Sequence, residues 1–246
     1  MNRTRIGIIF ILTLIGIGAI GVATIQRAQK DEKAEEATPI RIGVMTDRQR
    51  EHSKLYKGRL EGRGKLTEIK DNVDIAIGPG LRVGNPDTKR QTINEQVREI
   101  TCGSDAVIVG VVKNKDSQMT PDEDFIFTDY VITSQNVLKN DGATTIQSKV
   151  DIVVSRPGGK VSMDGRIMRI ADQSERLLNI GDTYLLFLSR ISKTGAYTAN
   201  GGSALISSDE GRLIKITDRL PNELLYRYDP NLVIDLVKAQ VAMPCS

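Results

Sequence analysis

Large aromatic side chains are scarce in this 246-residue chain, which contains no Trp and only 4% aromatic residues. Few surfaces are therefore available on which nucleic-acid bases could stack. An excess of charge is also missing, since 34 Lys and Arg residues stand against 31 Asp and Glu residues and leave a net charge of +3. That balance is typical of scattered surface salt bridges, whereas nucleic-acid-binding domains carry a clustered basic face. Both shortages argue against nucleic-acid binding.

Residues that carry nucleophilic or metal chemistry are equally few. His52 is the only His, and it lies between Glu51 and Ser53 in a polar region. One His and two distant Cys are too few for a structural zinc site, which takes four protein ligands. The chain also lacks a Gly-x-Ser-x-Gly nucleophile elbow, so a Ser-His-Asp triad is not predicted. We expect His52 to be a solvent-exposed structural residue.

The run Ile6–Ile25 is apolar and carries no charge. About 20 helical residues span roughly 30 Å, enough to cross the hydrocarbon core of a bilayer. Arg3 and Arg5 precede the run, which predicts that the amino terminus stays cytoplasmic and the remainder is exported. The length of the run favours a retained anchor over a cleaved signal peptide, although Gly21-Val22-Ala23 offers small residues for cleavage. If the run were cleaved, the protein would be secreted or periplasmic.

We divide the chain into residues 1–25 as the anchor, 26–39 as a polar linker, 40–100 as an extension and 101–246 as the main domain. The linker is either a helical stalk or disordered, because it is rich in Ala, Glu and Lys and ends at a Pro.

The extension contains short regular elements. Alternating apolar residues predict strands at 40–44 and 73–77, and residues 87–100 have the apolar spacing of a helix capped by Asp87 or Thr88. Residues 55–70 are basic and Gly-rich, which is typical of a loose hairpin or a mobile arm. A Gly-rich stretch at 78–84 lacks the spacing and the following helix of a phosphate-binding loop, so we interpret it as a turn.

The main domain is mostly β. A loop is predicted over Asn114–Asp124, and a change in the phase of the apolar face predicts a bulge near Thr128-Asp129. Asp229-Pro230 is a typical helix start. The spacing of the short strands indicates a sandwich or a small barrel. The predicted strands are Asp105–Val112, Phe125–Val137, Val150–Val154, Val161–Ile170 with an interruption at Asp164-Gly165, Thr183–Leu188, Tyr197–Ala199, Ala204–Ser207 and Leu213–Thr217.

Three segments of this domain resemble netrin-like modules and the tissue inhibitors of metalloproteinases. Cys102–Gly110 is similar to the opening strand of that family, in which a Cys precedes a small-residue-Asp-Val-Val pattern; Phe127–Lys139 resembles its next long strand, and Gly181–Leu188 its Gly-x-x-Tyr-Leu strand. The resemblance implies a mainly β fold, a five-stranded oligonucleotide/oligosaccharide-binding-type barrel with flanking helices. The inhibitors chelate zinc through a free amino-terminal Cys. Cys102 lies deep in the chain, so that activity does not carry over.

The two cysteines, Cys102 and Cys245, are expected to form a disulfide. In exported proteins a pair of Cys is usually oxidised, and this bond would tie the first strand of the barrel to the tail of the last helix. Two free thiols are the alternative. A redox-active dithiol is not expected, because active pairs are generally spaced Cys-x-x-Cys.

An acidic group, Asp122-Glu123-Asp124 together with Asp129, could bind calcium or serve as acid and base. It lacks the Gly and the terminal Glu of an EF-hand loop, which favours ordinary solvated charge.

We therefore expect a membrane-anchored, extracytoplasmic binding module without enzymatic activity or cofactor, which contacts a protein or a glycan and no nucleic acid. A hydrolase or carbohydrate-active enzyme that uses only carboxylates is the first alternative, and a structural envelope protein is the second.

Overall fold

The computed structural model describes residues 38–39, 44–60, 64–77, 92–141, 145–172, 176–199, 203–207, 212–215 and 229–245. Within these ranges the chain is mainly β, with two sheets and flanking helices. The helices are α1 Asp47–Ser53, α2 Ile93–Cys102 and α3 Pro230–Val241, with a single 3₁₀ turn at Leu66–Glu68. The strands are β1 Thr38–Pro39, β2 Val73–Ile77, β3 Ala106–Met119, β4 Ile126–Asn140, β5 Asp151–Pro157, β6 Gly159–Met163, β7 Arg166–Asp172, β8 Thr183–Arg190, β9 Tyr197–Ala199, β10 Ala204–Ser207 and β11 Arg212–Lys215.

The long antiparallel pair of β3 and β4 forms the centre of the larger sheet. The loop predicted over Asn114–Asp124 is wrong in its first half, because β3 continues to Met119 with each residue of 114–119 paired to β4. These polar residues remain in the strand because cross-strand partners satisfy them; Ser117 Oγ, for example, lies 2.8 Å from Thr128 Oγ1. The ladder hydrogen bonds favour strand over loop even where the sequence is polar.

The predicted bulge near Thr128-Asp129 is also wrong. The register shifts lie between Val107 and Ile108, between Val109 and Gly110, and between Val112 and Asn114 of β3. Residues 126–130 are all buried, so the apolar pattern there reflects burial on both faces of the strand. A strand covered on both sides shows no clean alternation, and its apparent change of phase is therefore no sign of a bend.

Five strands of the larger sheet pair in a ring, in the order β3-β4-β5-β9-β8 and back to β3. The ring is closed unevenly: β9 joins β5 in parallel through two residue pairs and β8 in antiparallel through three, whereas β3 and β4 share thirteen. Strands β10 and β11 extend the sheet beyond β8. We call these five strands the ring.

The smaller sheet has the order β1-β6-β7-β2. Its centre is the antiparallel hairpin of β6 and β7, and the predicted interruption at Asp164-Gly165 is confirmed as the turn between them. Both turn residues have positive φ angles, 50° and 76°, as a tight two-residue hairpin turn requires. The strand predicted at 73–77 is confirmed as β2, which pairs in parallel with β7. Of the strand predicted at 40–44, only Val44 is described; it lies outside any strand and is 69% exposed.

Three apolar clusters hold these elements together. The ring core lies inside the ring and is built from alternate residues of its strands, including Ile108, Tyr130, Val154 and Leu186. The small-sheet cluster joins the smaller sheet to Tyr56, Leu60 and Leu66 and to the start of β4. The helix-side cluster packs α2 and α3 on the outer face of β3 and β8 through Val97, Val107, Val109, Leu185, Phe187, Ala204, Val233 and Val237.

Each of the two longer helices begins with a side-chain cap. A capping box of Thr92 and Glu95 starts α2, and Asp229 caps α3 with Pro230 in its first turn, as predicted. The predicted caps of the first of these helices, Asp87 and Thr88, lie outside the described residues. The predicted disulfide is confirmed: Cys102 at the end of α2 is bonded to Cys245, 143 positions later.

Among the described residues, no helix combines the length and apolar character needed to cross a bilayer. The predicted anchor Ile6–Ile25, residues 26–37 of the linker and the Gly-rich turn at 78–84 lie outside those residues.

Candidate functional site: an acidic face covered by residues 46–60

Residues 46–60 form α1 and the turns that follow it. The helix begins with a capping box, in which the backbone N–H of Gln49 donates to Thr46 Oγ1 at 3.2 Å and that of Thr46 donates to Gln49 Oε1 at 2.9 Å. The sequence analysis missed this helix, although the pattern Thr-x-x-Gln at 46–49 is the local signal of such a start. We call residues 46–60 the strap.

The strap is not the loose hairpin or mobile arm predicted for residues 55–70. Tyr56, Leu60 and Leu66 are all buried in the small-sheet cluster. The phenol group of Tyr56 stacks on the side chains of Phe125 and Phe127, with centroid distances of 6.0 and 5.5 Å. Aromatic stacking and apolar burial therefore hold the segment around Tyr56 and Leu60 in place, although its Gly and Lys content indicated flexibility.

His52 on α1 is completely buried, so the prediction of a solvent-exposed residue is wrong. Its Nδ1 lies 2.9 and 2.8 Å from the two carboxylate oxygens of Asp129, and its Nε2 lies 2.9 Å from Thr194 Oγ1. Because Nδ1 faces a carboxylate, it donates its N–H to Asp129, and Nε2 pairs with the hydroxyl of Thr194. One imidazole thus connects three distant parts of the chain.

Asp129 lies on β4 and faces away from the ring core. Side chains alternate along a strand, so its neighbour Tyr130 belongs to the core while the Asp129 carboxylate lies on the outer face. The carboxylate is 4% exposed. Thr194 lies in the turn between β8 and β9, where Oγ1 also accepts the backbone N–H of Ala196 at 3.3 Å. A hydroxyl that bonds the backbone two residues ahead is a common way of fixing such a turn.

Further polar contacts join the strap to neighbouring strands. Gln49 Nε2 donates to Asp116 Oδ2 on β3 at 2.6 Å, and the Tyr56 hydroxyl donates to Ser155 Oγ on β5 at 3.3 Å. Arg59 lies 3.5 Å from Asp172 at the end of β7. Its guanidinium also lies over the Tyr56 ring, 5.5 Å from the centroid.

Charge on the two sides of this contact is complementary. The strap contains five Arg and Lys residues and two Asp and Glu residues. The side that it covers presents the carboxylates of Asp116, Asp129 and Asp172, and Asp122 lies close enough to be affected by the charge of Lys57. We call the surface formed by these four Asp side chains, together with Ser155 and Thr194, the acidic face.

The carboxyls of Asp122 and Asp124 influence each other. Burial acts to raise the pKa of Asp122, but hydrogen bonds with Thr120 and Asp124 and the charge of Lys57 together lower it. Burial and the hydrogen bond to Asp122 raise the pKa of Asp124. The two neighbouring carboxyls therefore differ in pKa, with that of Asp122, the carboxyl next to Lys57, the lower.

The acidic group singled out from the sequence does not converge on one point. Asp129 is paired with His52, whereas Glu123 accepts a hydrogen bond from the Thr67 hydroxyl, which lowers its pKa. Within the part of the chain that the structure describes, no three His, Cys, Asp or Glu side chains are grouped so as to hold a metal ion. The calcium hypothesis for this group thus gains no support from the described residues.

The order Asp129, His52, Thr194 is the order of a catalytic triad, with the carboxylate on Nδ1 and a hydroxyl on Nε2. A Ser-His-Asp triad was not predicted, because the chain lacks a Gly-x-Ser-x-Gly elbow; the residues that meet here are 77 and 142 positions apart in the sequence. No signal in a single sequence could have found this arrangement. Its geometry suits two roles, the activation of a hydroxyl group or the attachment of α1 to the ring.

Comparison with known proteins adds no relative. A scan against models of protein families gives no match, and a search of curated proteins finds no significant similarity. The interpretation of the acidic face therefore depends on its own geometry and on the confirmed disulfide.

Proposed function

We propose that the protein is an exported, membrane-anchored binding module without enzymatic activity, built on a barrel of the oligonucleotide/oligosaccharide-binding type. The order of the ring supports the barrel: β3, β4 and β5 follow one another as a meander, β8 returns beside β3, and β9 closes the ring between β8 and β5. A five-stranded, partly open Greek-key barrel has this character. The netrin-like resemblance from Cys102 onward is consistent with it and remains a proposal at the level of fold.

Export is supported by two observations. The run Ile6–Ile25 has the length and composition of a spanning helix with positive charges before it. The disulfide between Cys102 and Cys245 is typical of an oxidising compartment, since cytoplasmic thiols are kept reduced. Together they favour a domain on the extracytoplasmic side of a membrane.

The observation that carries the binding role is the acidic face. Its polar side chains, contributed by β3, β4, β5, β7 and the turn at 192–194, hold a single contiguous stretch of chain, the strap. Surfaces on which several elements present polar groups around an aromatic anchor are typical of recognition sites. A protein or a glycan is the expected class of partner.

Localisation is tested with the native thiols of the full chain. Intact cells that express it are treated with a membrane-impermeant maleimide, with and without prior treatment with a membrane-impermeant reductant. We expect labelling of Cys102 and Cys245 only after reduction, because the bond is formed and lies outside the membrane. Labelling that requires cell lysis would show that the domain is cytoplasmic and would overturn the export part of the proposal.

Binding is tested by chemical crosslinking on intact cells, followed by mass spectrometry. We expect a reproducible partner whose yield decreases when Asp116 and Asp172 are changed to Asn. The matched control is Asp235→Asn on α3, which removes an exposed carboxylate from the opposite side of the ring. Crosslinking that is identical for all three chains would contradict a role of the acidic face in binding.

A second candidate is a hydrolase in which Thr194 is the nucleophile. The geometry around His52 favours it: Nε2 could take the Thr194 proton as Oγ1 attacks an ester carbonyl, and return it to the leaving alcohol before water releases the acyl group. Complete burial of His52 makes this the weaker proposal, because a substrate must reach the atoms beside Nε2. Covalent labelling of the wild type by a fluorophosphonate, lost in Thr194→Val and kept in Thr194→Ser, would establish it.

A further inference from the structure

We infer that the acidic face is a recognition site for a basic helical peptide with an aromatic residue, and that the strap occupies this site in cis. The inference rests on the proposed function in that it assumes a binding module, and it adds the class of ligand and a reason for the site to be closed. The partner class is a protein segment with the chemistry of residues 46–60.

The anatomy of the contact is that of a peptide on a receptor. The strap is one continuous stretch, whereas the groups that hold it come from four strands and one turn. Its centre is an aromatic anchor, Tyr56, which is buried against Phe125 and Phe127 while its hydroxyl reaches Ser155. Buried Tyr and Arg residues surrounded by polar contacts characterise the positions that dominate binding energy at protein interfaces.

Recognition by charge distinguishes this contact from ordinary core packing. Two of the four carboxylates face cations of the strap, since Asp172 lies beside Arg59 and Asp122 is affected by the charge of Lys57. The other two carboxylates accept hydrogen bonds from Gln49 and His52. Complementary charge mainly contributes specificity and rate of association. The outer face of β3 and β8, in contrast, packs against α2 and α3 through the apolar side chains of the helix-side cluster.

The location supports the same conclusion. Two groups of the acidic face, Asp129 and Ser155, lie on the second and third strands of the ring, β4 and β5, and Thr194 lies in the turn between its last two strands. Barrels of the proposed type bind their ligands on the second and third strands and on the connections next to them. The strap therefore lies where a ligand of such a barrel is expected.

The attachment of the strap is non-covalent in the described part of the chain. The disulfide lies at the ends of α2 and the tail of α3, and it does not include the strap. A segment held only by side-chain contacts can open locally without unfolding the ring. Its tether gives it a high effective concentration, so a partner segment must compete with it.

The test uses a fluorescein-labelled synthetic peptide of residues 44–60 and the full chain in detergent micelles, with fluorescence anisotropy as the readout. We expect weak binding to the wild type, because the strap competes, and binding stronger by about tenfold or more to the His52→Ala/Tyr56→Ala double variant, in which the strap is weakened. Adding Asp129→Asn to that variant should reduce the affinity again by about tenfold. A peptide that itself carries the two Ala substitutions is the matched control and should not bind.

Equal binding to the wild type and to the double variant, with the disulfide and the circular dichroism spectrum intact, would overturn the inference. If the double variant does not fold, Gln49→Ala/Arg59→Ala opens the same site through its outer contacts and carries the same expectation. The result of this peptide-binding test can be distinguished from that of the crosslinking test on intact cells. A partner found on intact cells without peptide binding in micelles would refute only the cis occupation, whereas peptide binding without a cellular partner would leave this inference standing and refute the crosslinking expectation.

Discussion

The two outer sides of the ring are covered in different ways. On the side of β3 and β8, α2 and α3 bury Val97, Val233 and Val237 against the strands, and a disulfide joins their ends. On the side of β4 and β5, the strap is held by hydrogen bonds of His52 and by the buried Tyr56, which stacks on Phe127 and bonds Ser155. One cover is mainly apolar and is closed by a disulfide, whereas the other adds polar contacts to an aromatic anchor and contains no crosslink among the described residues.

This difference indicates which cover is permanent, in the sense that it stays attached as long as the domain is folded. Apolar burial stabilises by about 1.5–3 kcal/mol for each large side chain and is insensitive to ionic strength. Polar contacts contribute little net free energy, but they are expensive to break singly because each leaves a buried group without its partner. The helix side should therefore set the stability of the domain, while the strap side should respond to single substitutions, to salt and to competing ligands.

The largest effect is expected from removal of the disulfide. Replacing Cys102 and Cys245 by Ser releases a crosslink between positions 143 apart, which the chain-entropy model values at about 5 kcal/mol. Guanidinium unfolding of the double variant measures the loss. Wild type treated with a reductant should show the same lowered midpoint, and a loss below about 1 kcal/mol would mean that the unfolded chain gains little freedom.

The next largest effect should come from Phe187→Ala, which empties the centre of the helix-side cluster. Phe187 is completely buried, and the substitution should lower the free energy of unfolding by about 4 kcal/mol. The matched control is Leu232→Ala on α3, whose side chain is 58% exposed and whose loss should change stability by less than about 0.5 kcal/mol. Similar values for both variants would refute the assignment of this side as the permanent cover.

On the strap side, His52→Ala should cost about 3 kcal/mol because it leaves the Asp129 carboxylate buried without its partner. The double variant His52→Ala/Asp129→Ala should lose less than the sum of the single losses, which a double-mutant cycle measures. Lys54→Ala, at the residue that follows α1, is the control, since its side chain is 58% exposed. Additive losses would show that the two groups do not act as a pair.

The smallest effect is expected from Arg59→Ala. The guanidinium is 39% exposed beside a nearly buried Asp172, so the loss should be about 1 kcal/mol and should shrink as salt is raised from 50 mM to 500 mM. The effect of Phe187→Ala should not change over the same range. A loss for Arg59→Ala that is independent of salt would assign it to cation–π and apolar contacts with Tyr56 instead.

The strands and the last helix were predictable because their signals are local. Thr183–Leu188 is an unbroken apolar run, Asp164-Gly165 suits a tight turn, and Asp229-Pro230 suits a helix start, and the structure has an element at each. The polar half of β3 was missed because its stability comes from pairing with β4, which the sequence of β3 alone does not contain.

The candidate site was not predictable in the same way. The contact between His52 and Asp129 joins positions 77 apart, and neither position is marked by a motif. A His between Glu51 and Ser53 has the local sequence of an exposed residue, and only tertiary contacts bury it. The one usable local signal was the capping box at Thr46 and Gln49, which indicates a helix but not what the helix covers.

The parallel pairing of β2 with β7 has a consequence for synthesis. Met168, the partner of Val73, leaves the ribosome about 95 residues later. At roughly 5–20 residues per second, β2 therefore has no β7 to pair with for about 5–20 s after its own synthesis. We expect the Lys and Arg residues of the strap, which precede β2 in the chain, to oppose its association with other chains during that interval. The charges that later meet the acidic face would first serve to keep the unfinished chain soluble.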